Sequence, residues 1–154
     1  MEGNMIQNGT VTIFNRHRTG TGDIWYATII KGIYLNTDKA GIIKKYGAES
    51  GDSAVLHVPC ITKGADIFVT EKKYLSPKRW NAQQDEELTK SLTFAAGKAF
   101  DFFIAGEWDG ELIIPDNKYP NGLYDYLNRE YDDVFSVSSA ARYGLIPHFE
   151  ILGK

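Results

Sequence analysis

The sequence predicts a mainly β protein, a small antiparallel β-barrel or sandwich of about eight short strands, with one helix in the C-terminal half and one short capped helical turn. Three observations lead there. Runs of β-branched and aromatic residues recur along the chain, each bounded by Gly, Asn, Asp or Pro. Three Trp, nine Tyr and eight Phe in 154 residues demand large apolar faces. Sustained helical spacing occurs in a single segment.

The elements follow in order. Thr10-Val11-Thr12-Ile13-Phe14 alternates polar and apolar, as a half-buried strand does, and Gly20-Thr21-Gly22-Asp23 supplies a turn. A second run extends from Ile24 to Leu35, broken at Gly32, where a bulge or a corner bends a long strand toward closure. Ile42 to Tyr46 is a weaker third strand. Ala54 to Ile61 is the fourth, with Pro59 placing it at an edge or marking its end, and Ile67-Phe68-Val69 is the fifth. Ser76 then reads as an N-cap and Pro77 as the first residue of a helical turn, with Leu75 and Trp80 spaced as a hydrophobic staple. Asn81 to Lys90 reads as a loop or short solvated helix. Leu92 to Ala96 and Ala99 to Ile104, separated by Gly97-Lys98, read as a hairpin. Asn121 to Tyr131 is the helix: Tyr124, Leu127 and Tyr131 share one stripe, and Asp125 and Arg129 stand at i, i+4 in the favourable order. Val134 to Ala140 and Ile146 to Leu152 are the last strands, about a turn at Tyr143-Gly144.

Composition bounds the function. The length suits one β-rich domain over residues 1–154, with residues 1–9 a flexible lead. Seventeen Lys+Arg against twenty Asp+Glu give a net charge of −3, and a pI near 5.6 weighs against nucleic acid as a specific ligand. Basic pairs such as Arg16/Arg18 and Lys78/Arg79 are interleaved with acids and form no stripe. The lone Cys60 excludes an internal disulfide and suits a reducing compartment. Met1 to Met5 has neither a basic nor an apolar leader, and no apolar run reaches the ~18 residues of a membrane span, so an intracellular chain without a membrane partner is expected.

Reaction chemistry finds little purchase. His17, His57 and His148 are far apart in sequence, and none has a second ligand at i+2 to i+4, so neither a metal nor a cofactor is expected. Phosphate loops, dinucleotide fingerprints and nucleophile elbows are missing from the sequence. The densest carboxylate group, Asp101, Glu107, Asp109 and Glu111 around Trp108, admits three readings: a solvated turn, the mouth of a sugar-binding site, or an acid pair at Asp101 or Glu107. The aromatics are more telling. Trp25-Tyr26 and Phe102-Phe103 place neighbours on opposite strand faces, so one of each pair needs a cover beyond the core. That cover is either the chain's own helix and loops or another chain.

Several segments carry a resemblance. Thr10 to Arg16, Trp25 to Ile33, and the closing stretch from Tyr131-Asp132-Asp133-Val134 through Gly144, Pro147-His148-Phe149-Glu150 and Gly153-Lys154 resemble a family of small, uncharacterised proteins of tailed phages and prophages of Gram-positive bacteria. Tyr74, Ser76-Pro77, Trp80 and Gly106-Glu107 fit more loosely, and Asn81 to Lys90 does not match. The resemblance implies a minor capsid or head–tail completion protein, located in the host cytoplasm during assembly and then in the virion. It implies portal, adaptor or tail proteins as partners, and a homo-oligomeric ring. The non-enzymatic assembly protein so expected would use Trp25, Trp80, Lys78, Arg79, Trp108 and Tyr126 as partner contacts, with Gly20–Asp23, Asn36–Asp52 and Lys78–Lys90 as adaptable segments anchored in part by Trp80. The alternative is a small-ligand or carbohydrate-binding barrel with Trp108 at its mouth.

Overall fold

The computed structural model describes residues 4–37 and 54–154, with side chains from residue 9 onward. Strands β1 (Asn4–Thr19) and β2 (Gly22–Thr37) form one long antiparallel hairpin across the turn at Gly20 and Thr21. Both exceed ordinary strand length because β2 serves two neighbours. Its second half pairs with β3 (Ala54–Pro59), from Tyr34 opposite His57 to Thr37 opposite Ala54. Its first half pairs with β9 (Ile113–Pro115). Between these two regions Gly32 is skipped in the ladder and holds φ +73°, the left-handed conformation that a bulge there requires. The bulge expected at this glycine is present.

The remaining elements, in chain order, are β4 (Ile61–Lys63), β5 (Asp66–Val69), β6 (Lys72–Tyr74), α1 (Pro77–Asn81), α2 (Asp85–Leu88), β7 (Ser91–Leu92), β8 (Phe102–Ala105), α3 (Leu123–Glu130), β10 (Val134–Tyr143) and β11 (His148–Gly153). A single 3-10 turn, Asp116–Lys118, precedes α3. Strands β1, β2, β3, β11, β10 and β8 pair in that order, and β8 pairs back onto β1, closing a six-stranded antiparallel barrel with β9 as an added strand on β2. A second sheet, β4-β5-β6-β7, has its last pair parallel.

Alternation sorts the side chains into layers. Val11, Ile13, Phe103, Phe135, Val137 and Ile151 fill the barrel, joined by Val69, Leu92 and Phe94 from the second sheet and its exit. Gly153 is fixed by this packing: a Cβ there would lie 2.8 Å from Phe135 Cβ and 3.0 Å from the Phe103 ring. Outside the barrel wall, Phe14, Trp25, Phe102 and Trp108 pack under Leu123 and Leu127 of α3. A third cluster joins Tyr26 to Leu75, Trp80 and Leu88 of the α1–α2 segment. The paired neighbours thus divide as their strand positions require, Phe103 inward and Phe102 outward, and both faces are covered by the chain itself.

Several expectations change in detail. Pro59 ends β3, which is paired on both sides and is no edge strand. The hairpin expected over 92–104 does not form: β7 joins β6 while β8 lies between β1 and β10, because the Asp101 side chain takes a backbone N–H that a ladder would have used. Ser76 does stand at the N-cap of α1 before Pro77, yet its hydroxyl makes no capping bond. The Leu75–Trp80 staple is present as packing. The polar 81–90 stretch contains the four-residue α2, held by a Gln84/Glu87 capping box and the buried Leu88. The strand expected at Ile42 to Tyr46, and most of the adaptable segment Asn36–Asp52, lie outside the described residues. Of the 1–9 lead, residues 1–3 also lie outside them, and β1 begins at Asn4.

Candidate functional site

The six residues expected to meet a partner separate into two groups. Trp25, Trp80 and Trp108 are buried in the chain's own packing, which corrects their placement on a contact surface. The physical reason is the covering layer. Trp25 lies edge-on to Phe102 with ring centroids 4.9 Å apart, and its indole N–H donates to Asp116 Oδ1 at 2.8 Å. Trp108 packs edge-on to Phe14 and donates its indole N–H to the Glu111 carbonyl at 2.8 Å, so it lines no mouth. Trp80 stands edge-on to Tyr26 and His17 at 5.8 and 6.1 Å, anchoring the α1–α2 segment as its staple position predicts. Tyr126 is half-buried and stacked on Tyr119 at 4.4 Å. Lys78 and Arg79 remain exposed on α1.

A cleft of about 530 Å³ lies between the end of β1, α1 and the 93–101 loop. Its volume falls in the range of small-molecule sites. Pro77, Ala95, Ala96 and Ala99 give it small apolar walls, and Arg16, Arg18 and Lys78 bring three cations to it. The Arg16 guanidinium is held over the Trp25 ring at 4.6 Å and the Phe100 ring at 5.2 Å, with Asp23 at 3.7 Å from Nε. The Arg18 backbone N–H donates to Asn81 Oδ1 at 3.1 Å, tying β1 to α1.

At the base of this cleft lies Asp101, 1% exposed. Its Oδ1 accepts the Arg16 backbone N–H at 2.9 Å, and its Oδ2 accepts Asn15 Nδ2 and the Ala95 N–H, each at 2.8 Å. Burial pushes this carboxyl up to about 7, opposed by the backbone donors of Arg16 and Ala95, the Asn15 amide and the Arg16 charge. The carboxylate is therefore a clamp among β1, the 93–101 loop and β8. Glu107, Asp109 and Glu111 stand exposed along the 107–111 turn and do not line the cleft with Asp101. Sequence reading grouped all four by proximity. The signal that separates them is the position of Asp101 inside the otherwise apolar run Ala99–Ile104.

The histidines do not build a metal centre. His57 and His148 approach on the outer barrel wall, with ring centroids 5.5 Å apart and Glu150 at 3.9 Å from His57 Nδ1. Among the described residues, no three His, Cys, Asp or Glu side chains are grouped to hold a metal ion. No helix among them is long and apolar enough to cross a membrane.

Two exposed apolar patches escaped the sequence reading. At the β10–β11 tip, Leu145 is 97% and Ile146 74% exposed, beside Tyr143, which stacks on His148 at 5.2 Å. On the β9 side, Leu112 and Ile113 are each about half exposed. The first patch was detectable as an apolar pair set between Gly144 and Pro147.

A family model described as a family of unknown function (DUF6751) matches residues 6–154, and the chain belongs to that family. No curated protein and no solved structure shows a significant match.

Proposed function

We propose that this DUF6751 chain is a non-enzymatic subunit of a larger assembly, joined head-to-tail to copies of itself. The observation that carries this reading is the pair of separate apolar patches on one rigid barrel. Leu145 and Ile146 project from a hairpin tip, where burial on a neighbour recovers roughly 1.5–3 kcal/mol for each side chain fully covered. Leu112 and Ile113 accompany β9, which has a barrel strand on one side and, among the described residues, no partner strand on the other. Two different patches that fit one another generate a heterologous contact, and such a contact closes into a ring when the rotation permits. The catalytic alternative has less support, because the carboxylate cluster is divided between the Asp101 clamp and an exposed turn.

The setting is a proposal of its own: a minor capsid or head–tail completion protein, supported by the resemblance of the opening and closing segments to small phage proteins. Portal and major capsid genes beside the gene for this chain would support it. An unrelated metabolic neighbourhood would count against it.

Sedimentation of the full chain over a concentration series tests the contact. Wild type self-associates, and Leu145→Asp and Leu112→Asp each sediment as monomers. An equimolar mixture of the two variants regains a dimer, since each partner keeps one intact patch. A wild type that stays monomeric to its solubility limit, or a mixture that stays monomeric, overturns the head-to-tail reading.

A further inference from the structure

We infer that the cleft between β1, α1 and the 93–101 loop is a binding site for a compact apolar carboxylate, a site independent of the subunit contact proposed above. Three features converge on that chemistry. The first is charge. Arg16, Arg18 and Lys78 stand in and around the cleft against two carboxyls: Asp23, paired with Arg16 at 3.7 Å from Nε, and Asp101, whose two oxygens are already taken by Asn15 and the backbone N–H groups of Arg16 and Ala95. A single negative charge is balanced there, whereas a doubly charged phosphate would meet Asp101 at close range.

The second feature is preorganisation. Contact with the Trp25 and Phe100 rings holds the Arg16 guanidinium without a bidentate carboxylate partner among the described residues, and its ion-pair partner Asp23 stands 3.7 Å from Nε, beyond hydrogen-bond distance. A planar fork held in this way matches a carboxylate with little further ordering. The indole N–H of Trp80, another lining residue, is buried and has no acceptor among the described residues. Arg16 Nε is likewise buried without a hydrogen-bond partner, and the unpartnered Thr93 hydroxyl can donate, so the lining residues carry unpaired donors for an acceptor ligand. The third feature is size. Pro77, Ala95, Ala96 and Ala99 leave room beside the cations for a short aliphatic body and offer it no polar partner.

A carboxylate on a small apolar body describes both a peptide C-terminus and a free short-chain organic acid. Titration of the full isotope-labelled chain, followed by NMR, separates them. The probes are N-acetyl-trialanine, its C-terminal amide, butyrate and inorganic phosphate. Saturable shifts at cleft residues are expected with at least one of the two acids. Tighter binding of the acetylated peptide assigns a C-terminus, and tighter binding of butyrate assigns a free acid. The amide binds at least about tenfold more weakly than the peptide acid if the C-terminus is the ligand.

Arg18→Gln combined with Lys78→Gln, two exposed positions outside the packed layers, weakens acid binding about tenfold while the melting temperature is retained. Ala96→Trp blocks the cleft with every cation in place and abolishes binding. The inference is overturned if neither acid saturates below about 10 mM. It is equally overturned if phosphate binds more tightly than both acids, or if folded Ala96→Trp binds as wild type does.

Discussion

Both oxygens of Asp101 are hydrogen-bonded in the folded chain, one to the Arg16 N–H and the other to Asn15 and Ala95. The price is a carboxyl held almost wholly out of solvent, pushed up from 3.8 to about 7. A folded-state value above the unfolded one means the fold holds the proton more tightly than the unfolded chain does. The stability this adds is complete below about 3.8 and is lost as pH rises through about 7. Asp101→Asn should therefore change the pH profile as well as the level. At low pH the variant is less stable by about 1–3 kcal/mol, because its amide nitrogen faces donors. The gap to wild type narrows as pH rises from 4 to 8. Urea midpoints at five pH values check this, and two parallel profiles would refute it. From sequence, Asp101 was visible as one of four nearby acids, set apart only by the apolar run around it. Its contact with Asn15 and Arg16, about 85 positions away, is reported by no local window.

Helix α3 shows what an element takes from outside itself. Its Asp125–Arg129 pair, 3.1 Å apart, and the packed Tyr124 and Leu127 were legible as short-range helical spacings, whereas Tyr131, expected in the same stripe, lies past the helix end and is exposed. Its N-terminus was not. Gly122 occupies the N-cap at φ +91° and has no side chain to offer, so Asp116 supplies the acceptor, taking the Leu123 N–H at 2.9 Å on the same Oδ1 that receives the Trp25 indole. A Cβ on Gly122 would come within 3.1 Å of that oxygen. One carboxylate thus pins the helix to the barrel wall. Asp116→Ala leaves two donors without an acceptor and should cost about 1–3 kcal/mol, with faster exchange of the Trp25 indole proton. Asp116→Asn keeps an acceptor at Oδ1 and should lose less than half as much. Equal losses in the two variants would show that the charge, not the bonding, holds the helix. The failed 92–104 hairpin has the same origin. Gly97-Lys98 has turn chemistry, but the bonds of Asp101 to Asn15 and Arg16 and the parallel β6–β7 pairing redirect the strands on either side, and both are long-range choices.

At the scale of the molecule, alternation and the Gly32 bulge announced a curved β structure. Closure itself was out of reach, since barrel and sandwich share the same inward-outward period. What closes this barrel is β8 bridging β1 and β10, a strand of four residues whose neighbours in space are about 90 and 30 positions away in sequence. The same long-range economy ties the layers together. Val69, Leu92 and Phe94 from the second sheet complete the barrel core, and Tyr26 belongs to a barrel strand while packing under Trp80. No layer has an interior of its own, so the described layers should unfold as one unit. The tryptophans report this directly, because Trp25 and Trp108 sit under α3 and Trp80 belongs to the α1–α2 segment, packed on Tyr26 of the barrel. In variants where two of the three are replaced by Phe, fluorescence of the remaining indole and far-UV circular dichroism should give one midpoint in urea for each protein. A Trp80 signal lost well before the circular dichroism signal would mean that the α1–α2 cover opens independently of the barrel. The cleft would then be shaped by a movable wall, and ligand affinity would include the free energy of closing it.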